Sequence, residues 1–185
     1  SSGAAGPWIE MARVLSVGLE HDEKIEGERL ELEGKANKLS QMIRANLPAA
    51  MQGLAVVPLF AGFDTRRKTG RLWKFDITGG RYEEGEFDAT GSGGLYARES
   101  LKHGWAADLN RTDAIRTAVA ALTAAADEDR ATGGGDLERG IYPLIKVFTS
   151  SGHSDATKDE TSARYRDLSS GRSAGGTLYC PCPSP

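Results

Sequence analysis

Hydrophobic residues in the first quarter of the chain recur at the spacing of two α-helices. The first stripe follows Gly6-Pro7, where a proline is tolerated in the first turn, and consists of Trp8, Ala12, Leu15 and Leu19. Charged residues crowd positions 20–28 around Gly27, as expected at the exposed end of a helix. The second stripe consists of Leu32, Ala36, Leu39, Ile43 and Leu47, and Pro48 is expected to end or kink this helix.

Three segments with the patterns of β-strands follow the two helices. Residues 53–63 are apolar on both faces, which predicts a strand buried between two layers. The next two segments, 71–77 and 82–89, are separated by the turn residues Gly79-Gly80. Connections this short favour antiparallel hairpins.

The second half of the chain returns to helical patterns. Gly91-Ser92-Gly93-Gly94 closes the third strand and opens a helix, and an alanine-rich helix is predicted over 114–127, ended by the glycines at 133–135. Residues 141–148 predict a buried strand and 159–168 a final helix. We expect one domain over residues 1–168, with helices covering sheets on both sides, and a disordered Ser/Gly/Pro-rich tail over 169–185.

Composition and charge exclude several classes of function. The chain has 185 residues and a net charge of −3, which gives no electrostatic reason to expect nucleic acid binding. Its longest apolar stretch is too short and too interrupted to span a membrane, and no secretory signal is visible. Cys180 and Cys182 lie in the tail without a second ligand pair. We therefore predict a cytoplasmic protein with no metal and no cofactor.

Few local motifs indicate chemistry. Gly91-Ser92-Gly93-Gly94 does not match a dinucleotide-binding loop, since Tyr96 stands at the third glycine position, and Thr90 excludes a G-x-S-x-G elbow. On pattern alone this segment is a tight turn. The acidic residues of Asp127-Glu128-Asp129 lie at a helix C-terminus, where negative charge is unfavourable, which hints at another role for one of them.

A set of segments that keep their order and relative spacing resembles one family. Among them are Gly3-Ala4-Ala5-Gly6 and Gly91-Ser92-Gly93, and the rest are the segments 20–27, 34–39, 51–64, 78–84 and 131–134. Together they resemble the actinobacterial-type proteasome β subunit, an N-terminal-nucleophile hydrolase. The resemblance extends from Gly3 to about Phe148.

The resemblance implies a fold, an activity and partners. The implied fold is α+β, a four-layer αββα sandwich truncated at its N-terminus. The implied function is that of a threonine-type endopeptidase that degrades unfolded proteins delivered by an ATPase. The implied partners are other β subunits and proteasome α subunits, in stacked seven-membered rings. The strands that carry the threonine nucleophile and its lysine and aspartate partners are expected to precede Ser1, so the 185 residues alone are expected to be inactive.

The resemblance also assigns supporting roles. Gly3 matches the glycine whose backbone N–H forms the oxyanion hole, and Ser92 matches the serine that hydrogen-bonds the N-terminal amine. Asp129 matches the aspartate that positions that amine and serine, and Thr132 stands where the family often has serine. Ser1 and Ala5 fall on positions of the specificity pocket.

Three alternatives remain open. A non-catalytic ring or interaction protein, or an inactive remnant, would truly start near Ser1 and should expose apolar strand edges around 54–63. A peptidase of the HslV type is a weaker alternative, because its subunits generally lack the segment 53–59 in the form that this chain has. Ser1 as the nucleophile is disfavoured by its register, two residues before the oxyanion glycine.

Overall fold

The first part of the chain forms two long helices, as their hydrophobic stripes predict. A computed structural model describes residues 2–28, 30–136 and 138–173. Helix α1 spans Ala5–Glu26 and ends at Gly27, whose φ of 71° is the left-handed conformation typical of a C-terminal cap. Helix α2 spans Leu32–Ala45, and the short helix α3, Leu47–Ala50, follows it. Pro48 lies in the first turn of α3, which confirms the predicted end of the second helix.

Seven short strands form three separate antiparallel sheets in the described part of the chain. Strand β1 (Ser2–Gly3) pairs with β2 (Val56–Val57). Strands β3 (Leu59–Asp64), β4 (Thr69–Phe75) and β5 (Arg81–Glu84) form a meander in that order. The hairpin β6 (Lys146–Thr149) and β7 (Gly152–Asp155) is the third sheet. The antiparallel connections are therefore confirmed.

The predicted single strand over 53–63 is wrong in its start and in its continuity. Residues 53–55 lie outside any strand. The remainder divides at Pro58 into β2 and β3, which belong to different sheets. Proline has no backbone N–H for a continuous ladder, although the Pro58 carbonyl accepts a hydrogen bond from the Phe75 N–H at 3.3 Å. Val56 is buried as predicted, whereas Leu54 is exposed.

Two helices packed against each other dominate the second half. Helix α4 spans Gly94–Gly104 and α5 spans Arg111–Glu128. The start of α5 lies earlier than the sequence predicts, because Asn110 caps the helix by accepting a hydrogen bond from the Asp113 N–H. The helix ends at Glu128, before the glycines at 133–135.

The last segments differ most from prediction. The buried strand expected over 141–148 is wrong, because only 146–148 lie in a strand and the side chain of Leu144 is 99% exposed. Helix α6 spans Lys158–Ser173, so it includes the first five residues predicted to belong to the tail. The remaining tail, 174–185, with both cysteines, lies outside the described residues.

Two clusters of buried side chains form the core. The larger lies between α1, α2 and the β3–β5 sheet and consists of Met11, Leu15, Ala36, Leu39, Ile43, Val56, Trp73 and Phe75. The smaller joins α4 to α5 through Ala97, Ala121 and Ala125, so the alanines of α5 serve close helix packing. Helices that cover antiparallel sheets confirm the α+β class. Within the described residues, no helix is long and apolar enough to cross a membrane.

Candidate functional site

Asp129 lies where α5 ends and organises the loop that follows. Its backbone N–H donates to Ala125 O at 2.9 Å, and its carbonyl accepts from the Thr132 N–H at 3.0 Å. Its carboxylate accepts from the Ala131 N–H at 3.1 Å through Oδ1 and from the Thr132 hydroxyl at 2.6 Å through Oδ2. The Ser92 hydroxyl donates to the same Oδ2. These contacts give Asp129 a reason to occupy a helix end that the dipole disfavours.

Ser92 reaches Asp129 because the turn before α4 packs tightly against the end of α5. The turn is closed by a hydrogen bond from the Gly94 N–H to Gly91 O at 3.0 Å. A Cβ at Gly93 would lie 2.7 Å from the Thr132 Oγ1 and 2.9 Å from the Ala125 Cβ. Only glycine therefore allows this close approach without displacing the loop that carries Thr132.

The hydrogen bonds to Asp129 favour its charged form. The Ser92 hydroxyl first, then the Thr132 hydroxyl and the Ala131 N–H, hold the pKa of this carboxyl below its usual range. Asp129 is therefore ionised at neutral pH and accepts hydrogen bonds from both hydroxyls. Since a hydroxyl oxygen has two lone pairs, Ser92 can still accept a hydrogen bond from an amine or ammonium group.

Gly3 adopts a conformation that other residues rarely reach. Its φ is 98°, and a Cβ built on it would lie 2.1 Å from Ala55 O. The next residue, Ala4, donates its N–H to the same Ala55 carbonyl at 2.8 Å. A side chain at Gly3 would therefore separate the start of α1 from the segment that leads into β2.

The strand that carries Gly3 contacts the turn that carries Ser92. The Ser2 Oγ lies 2.7 Å from the Thr90 Oγ1, two residues before Ser92. The structure thus joins Ser92, Asp129 and Thr132 directly and brings Gly3 to the same region. Ala5 begins α1 two residues beyond Gly3 and is exposed, whereas Ser1 lies outside the described residues.

Sequence reasoning missed several residues around this turn. It gave no role to Ser2 or Thr90, whose contact joins positions 88 residues apart. It also missed Asp88, whose side chain is 4% exposed and whose carboxylate lies 2.8 Å from the Lys74 ammonium and 3.2 Å from the Arg98 guanidinium. Asp88 stands three residues before Gly91, and nothing in the sequence shows that its carboxylate is buried. Its burial in the fold is what requires the two cationic partners.

Other candidate chemistry lies apart from this region. His21 and His103 are exposed residues of α1 and α4, and His153 is exposed in β7. Among residues 2–28, 30–136 and 138–173, no three potential metal-ligating side chains gather into a cluster. The basic residues Arg66, Arg67 and Lys68 form the tip of the β3–β4 hairpin, where Asp64 accepts both arginine backbone N–H groups at 3.0 Å.

Comparisons with known proteins agree on one family. Residues 1–137 match the family described as "Proteasome subunit". The chain is 57% identical to "Proteasome subunit beta" of Acidimicrobium ferrooxidans over 152 residues, which are 82% of the chain and 56% of that protein. It is 50% identical to "Proteasome subunit beta" of Streptomyces griseus over 167 residues, 90% of the chain and 59% of that protein. The corresponding values for Acidothermus cellulolyticus are 53% over 155 residues, 82% and 53%. The chain thus spans a little over half the length of these curated relatives.

Proposed function

The chain belongs to the proteasome subunit family and is of the β type, and from that membership we propose that it is part of a threonine-type endopeptidase. In the whole protein, this part supports a threonine nucleophile located outside the 185 residues. The proposed assembly is a stack of seven-membered rings with other β subunits and with α subunits. Its substrates are unfolded proteins delivered by an ATPase, and its location is cytoplasmic.

One observation carries the proposal: the hydroxyls of Ser92 and Thr132 share the carboxylate of Asp129. A threonine hydroxyl is a weak nucleophile at neutral pH and needs a base, for which a free N-terminal amine serves. That amine must be held in place while it gains and loses a proton. An ionised carboxylate behind a serine hydroxyl, with an unused lone pair on the serine oxygen, suits this task.

Gly3 and Ala5 supply the other side of the proposed site. The backbone N–H of Gly3 is assigned to the oxyanion that develops on the scissile carbonyl, an interaction that stabilises the transition state more than the bound substrate. Ala5 and Ser1 are assigned to the pocket for the substrate side chain, where small residues leave room. The proposed roles thus divide between the β1–α1 segment and the Ser92–Asp129–Thr132 cluster.

The test replaces Asp129 in the full-length subunit assembled with its α partner. Asparagine offers one carbonyl oxygen in place of two carboxylate oxygens, so the hydroxyl pair and the Ala131 N–H cannot all be satisfied. We expect Asp129→Asn to lower kcat for a fluorogenic peptide on the order of 100-fold. The matched control is Glu128→Gln, which removes the same charge from the preceding exposed residue and should leave kcat unchanged.

Native mass spectrometry of the same preparations separates activity from assembly. Intact rings with lost activity in Asp129→Asn support the proposal. A full-length wild-type protein that forms rings without cleaving any peptide or unfolded protein would contradict it and favour the non-catalytic alternative.

A further inference from the structure

Two hydroxyls near the proposed site form a contact to which the proposed mechanism gives no role. The Ser2 Oγ and the Thr90 Oγ1 lie 2.7 Å apart, and each lies 3.2 Å from the carbonyl oxygen of Val57. All three contacts are partly buried. They join three segments of the chain: β1, β2 and the turn before α4.

Two hydroxyl protons can serve two of these three contacts at a time. Both hydroxyls can donate to the Val57 carbonyl, but the 2.7 Å between the two hydroxyl oxygens is the usual length of an O–H···O hydrogen bond and favours a proton between them. In either arrangement with that bond, one hydroxyl donates to the other and the second donates to the carbonyl, so Ser2 is connected to Thr90. Without one hydroxyl, the other still serves the carbonyl, but the connection between the two side chains is lost.

The contact between Ser2 and Thr90 lies next to two residues of the proposed site. Ser2 directly precedes Gly3, and Thr90 precedes Ser92 by two residues. Among the described residues, the β1–β2 ladder contains the two pairs Ser2–Val57 and Gly3–Val56, so backbone pairing holds β1 over a very short length. A side-chain connection at Ser2 therefore restricts how β1 can move relative to the turn that carries Ser92.

We propose that Ser2 and Thr90 are positioning residues that fix the Gly3 N–H relative to the Ser92–Asp129 pair. This inference rests on the proposed function. The oxyanion interaction requires its donor at a defined distance from the reacting carbonyl, and a displacement of about 1 Å is enough to slow a reaction severely. Loss of the connection therefore weakens transition-state stabilisation and leaves ground-state binding of the peptide largely intact.

The test uses four variants of the full-length subunit in its assembled form. Thr90→Val removes the hydroxyl and keeps the shape of the side chain, whereas Thr90→Ser keeps the hydroxyl. Ser2→Ala removes the other hydroxyl, and the fourth variant combines Ser2→Ala with Thr90→Val. The rate kcat is expressed per active site, as counted with a covalent inhibitor, so that a loss of folded protein does not count as a loss of rate.

We expect Thr90→Val and Ser2→Ala each to lower kcat per site about tenfold, with KM changed by less than about twofold. The double variant should be no slower than either single variant, because the two hydroxyls act as one unit. Thr90→Ser should retain the wild-type kcat to within about twofold. This rescue, together with the split between kcat and KM, is not expected of a residue that only stabilises the fold.

Several outcomes overturn the inference. These are an unchanged kcat in both Thr90→Val and Ser2→Ala, losses that multiply in the double variant, or a Thr90→Ser variant as slow as Thr90→Val. Should Thr90→Val fail to assemble, Ser2→Ala alone decides through its kcat per site. An inactive wild type in the same assay overturns the proposed function and this inference with it, whereas an active wild type with unaffected variants overturns only the inference.

Discussion

The two halves of the chain differ in what they bury. Residues 2–89 enclose large side chains, with Trp73, Phe75, Leu39 and Ile43 each about 1% exposed. In the second half, Ile115 and Val119 of α5 are buried as well, but the cluster that joins α4 to α5 consists of three alanines. Both halves expose large apolar residues, such as Val17 on α1 and Leu95 on α4, so the difference lies in the core and not in the surface.

The two halves are therefore stabilised in different ways. Large side chains in the first half stabilise by the apolar area that they remove from water. Alanines in the second half contribute little area but allow α4 and α5 to approach closely. The proposed site uses both, since Gly3 belongs to the first half and Ser92 and Asp129 belong to the closely packed second half.

The largest expected change in the free energy of unfolding comes from comparing a buried side chain of the first half with an exposed one of the second half. Trp73→Ala should lower the free energy of unfolding by about 3–5 kcal/mol, because it leaves a cavity under α1 and α2. Leu144→Ala should change it by less than about 0.5 kcal/mol, because Leu144 contacts almost nothing that excludes water. Urea unfolding of the full-length subunit, followed by circular dichroism, measures both values. Similar losses from the two variants would mean that the second half has a core of its own around Leu144.

A smaller change in the free energy of unfolding is expected from the charged contacts, which also differ between the two halves. Arg71 is 4% exposed in its side chain and makes two hydrogen bonds to the Glu83 carboxylate, at 2.6 and 2.7 Å. It also contacts Asp64 at 3.2 Å and lies 4.5 Å from the centre of the Trp73 ring. Arg111 contacts Glu160 at 3.1 Å in the second half, but both side chains are well exposed.

We expect Arg71→Met to lower the free energy of unfolding by about 3 kcal/mol, because it leaves carboxylates that face a buried position without a cation. Arg111→Met should have little effect, because water and salt already screen this pair. The same urea titrations at two salt concentrations check the comparison. A loss in Arg71→Met that disappears in high salt would show that Arg71 acts as a surface charge.

The parts of this structure that sequence predicts are those with local causes. The stripes that begin at Trp8 and Leu32 predict α1 and α2, and Gly27 marks the end of α1. Residues 141–148 are as apolar as a buried strand, yet Leu144 is exposed, because burial depends on what packs against a segment and not on its own composition.

Some residues of the site could likewise be predicted from the sequence, and others could not. The pattern of charges at 127–129 suggested that one acid has a further role, and the resemblance selected Asp129 and Ser92. Neither could indicate the contact between Ser2 and Thr90, because two hydroxyls 88 residues apart carry no periodic or spacing signal. Only the fold places them together.

The smallest of the three effects tests whether close packing in the second half determines the site. Gly93→Ala would place a Cβ 2.7 Å from the Thr132 Oγ1 and 2.9 Å from the Ala125 Cβ, so the turn or α5 must shift. We expect a loss of about 1–3 kcal/mol in the free energy of unfolding, together with weaker contact between Ser92 and Asp129. Gly133→Ala is the matched control, since among the described residues no atom outside Gly133 and its two chain neighbours lies within 4 Å of a Cβ there. A crystal structure of Gly93→Ala that keeps both hydrogen bonds to Asp129, with wild-type stability, would show that the α4–α5 contact tolerates a larger residue and does not set the geometry of the site.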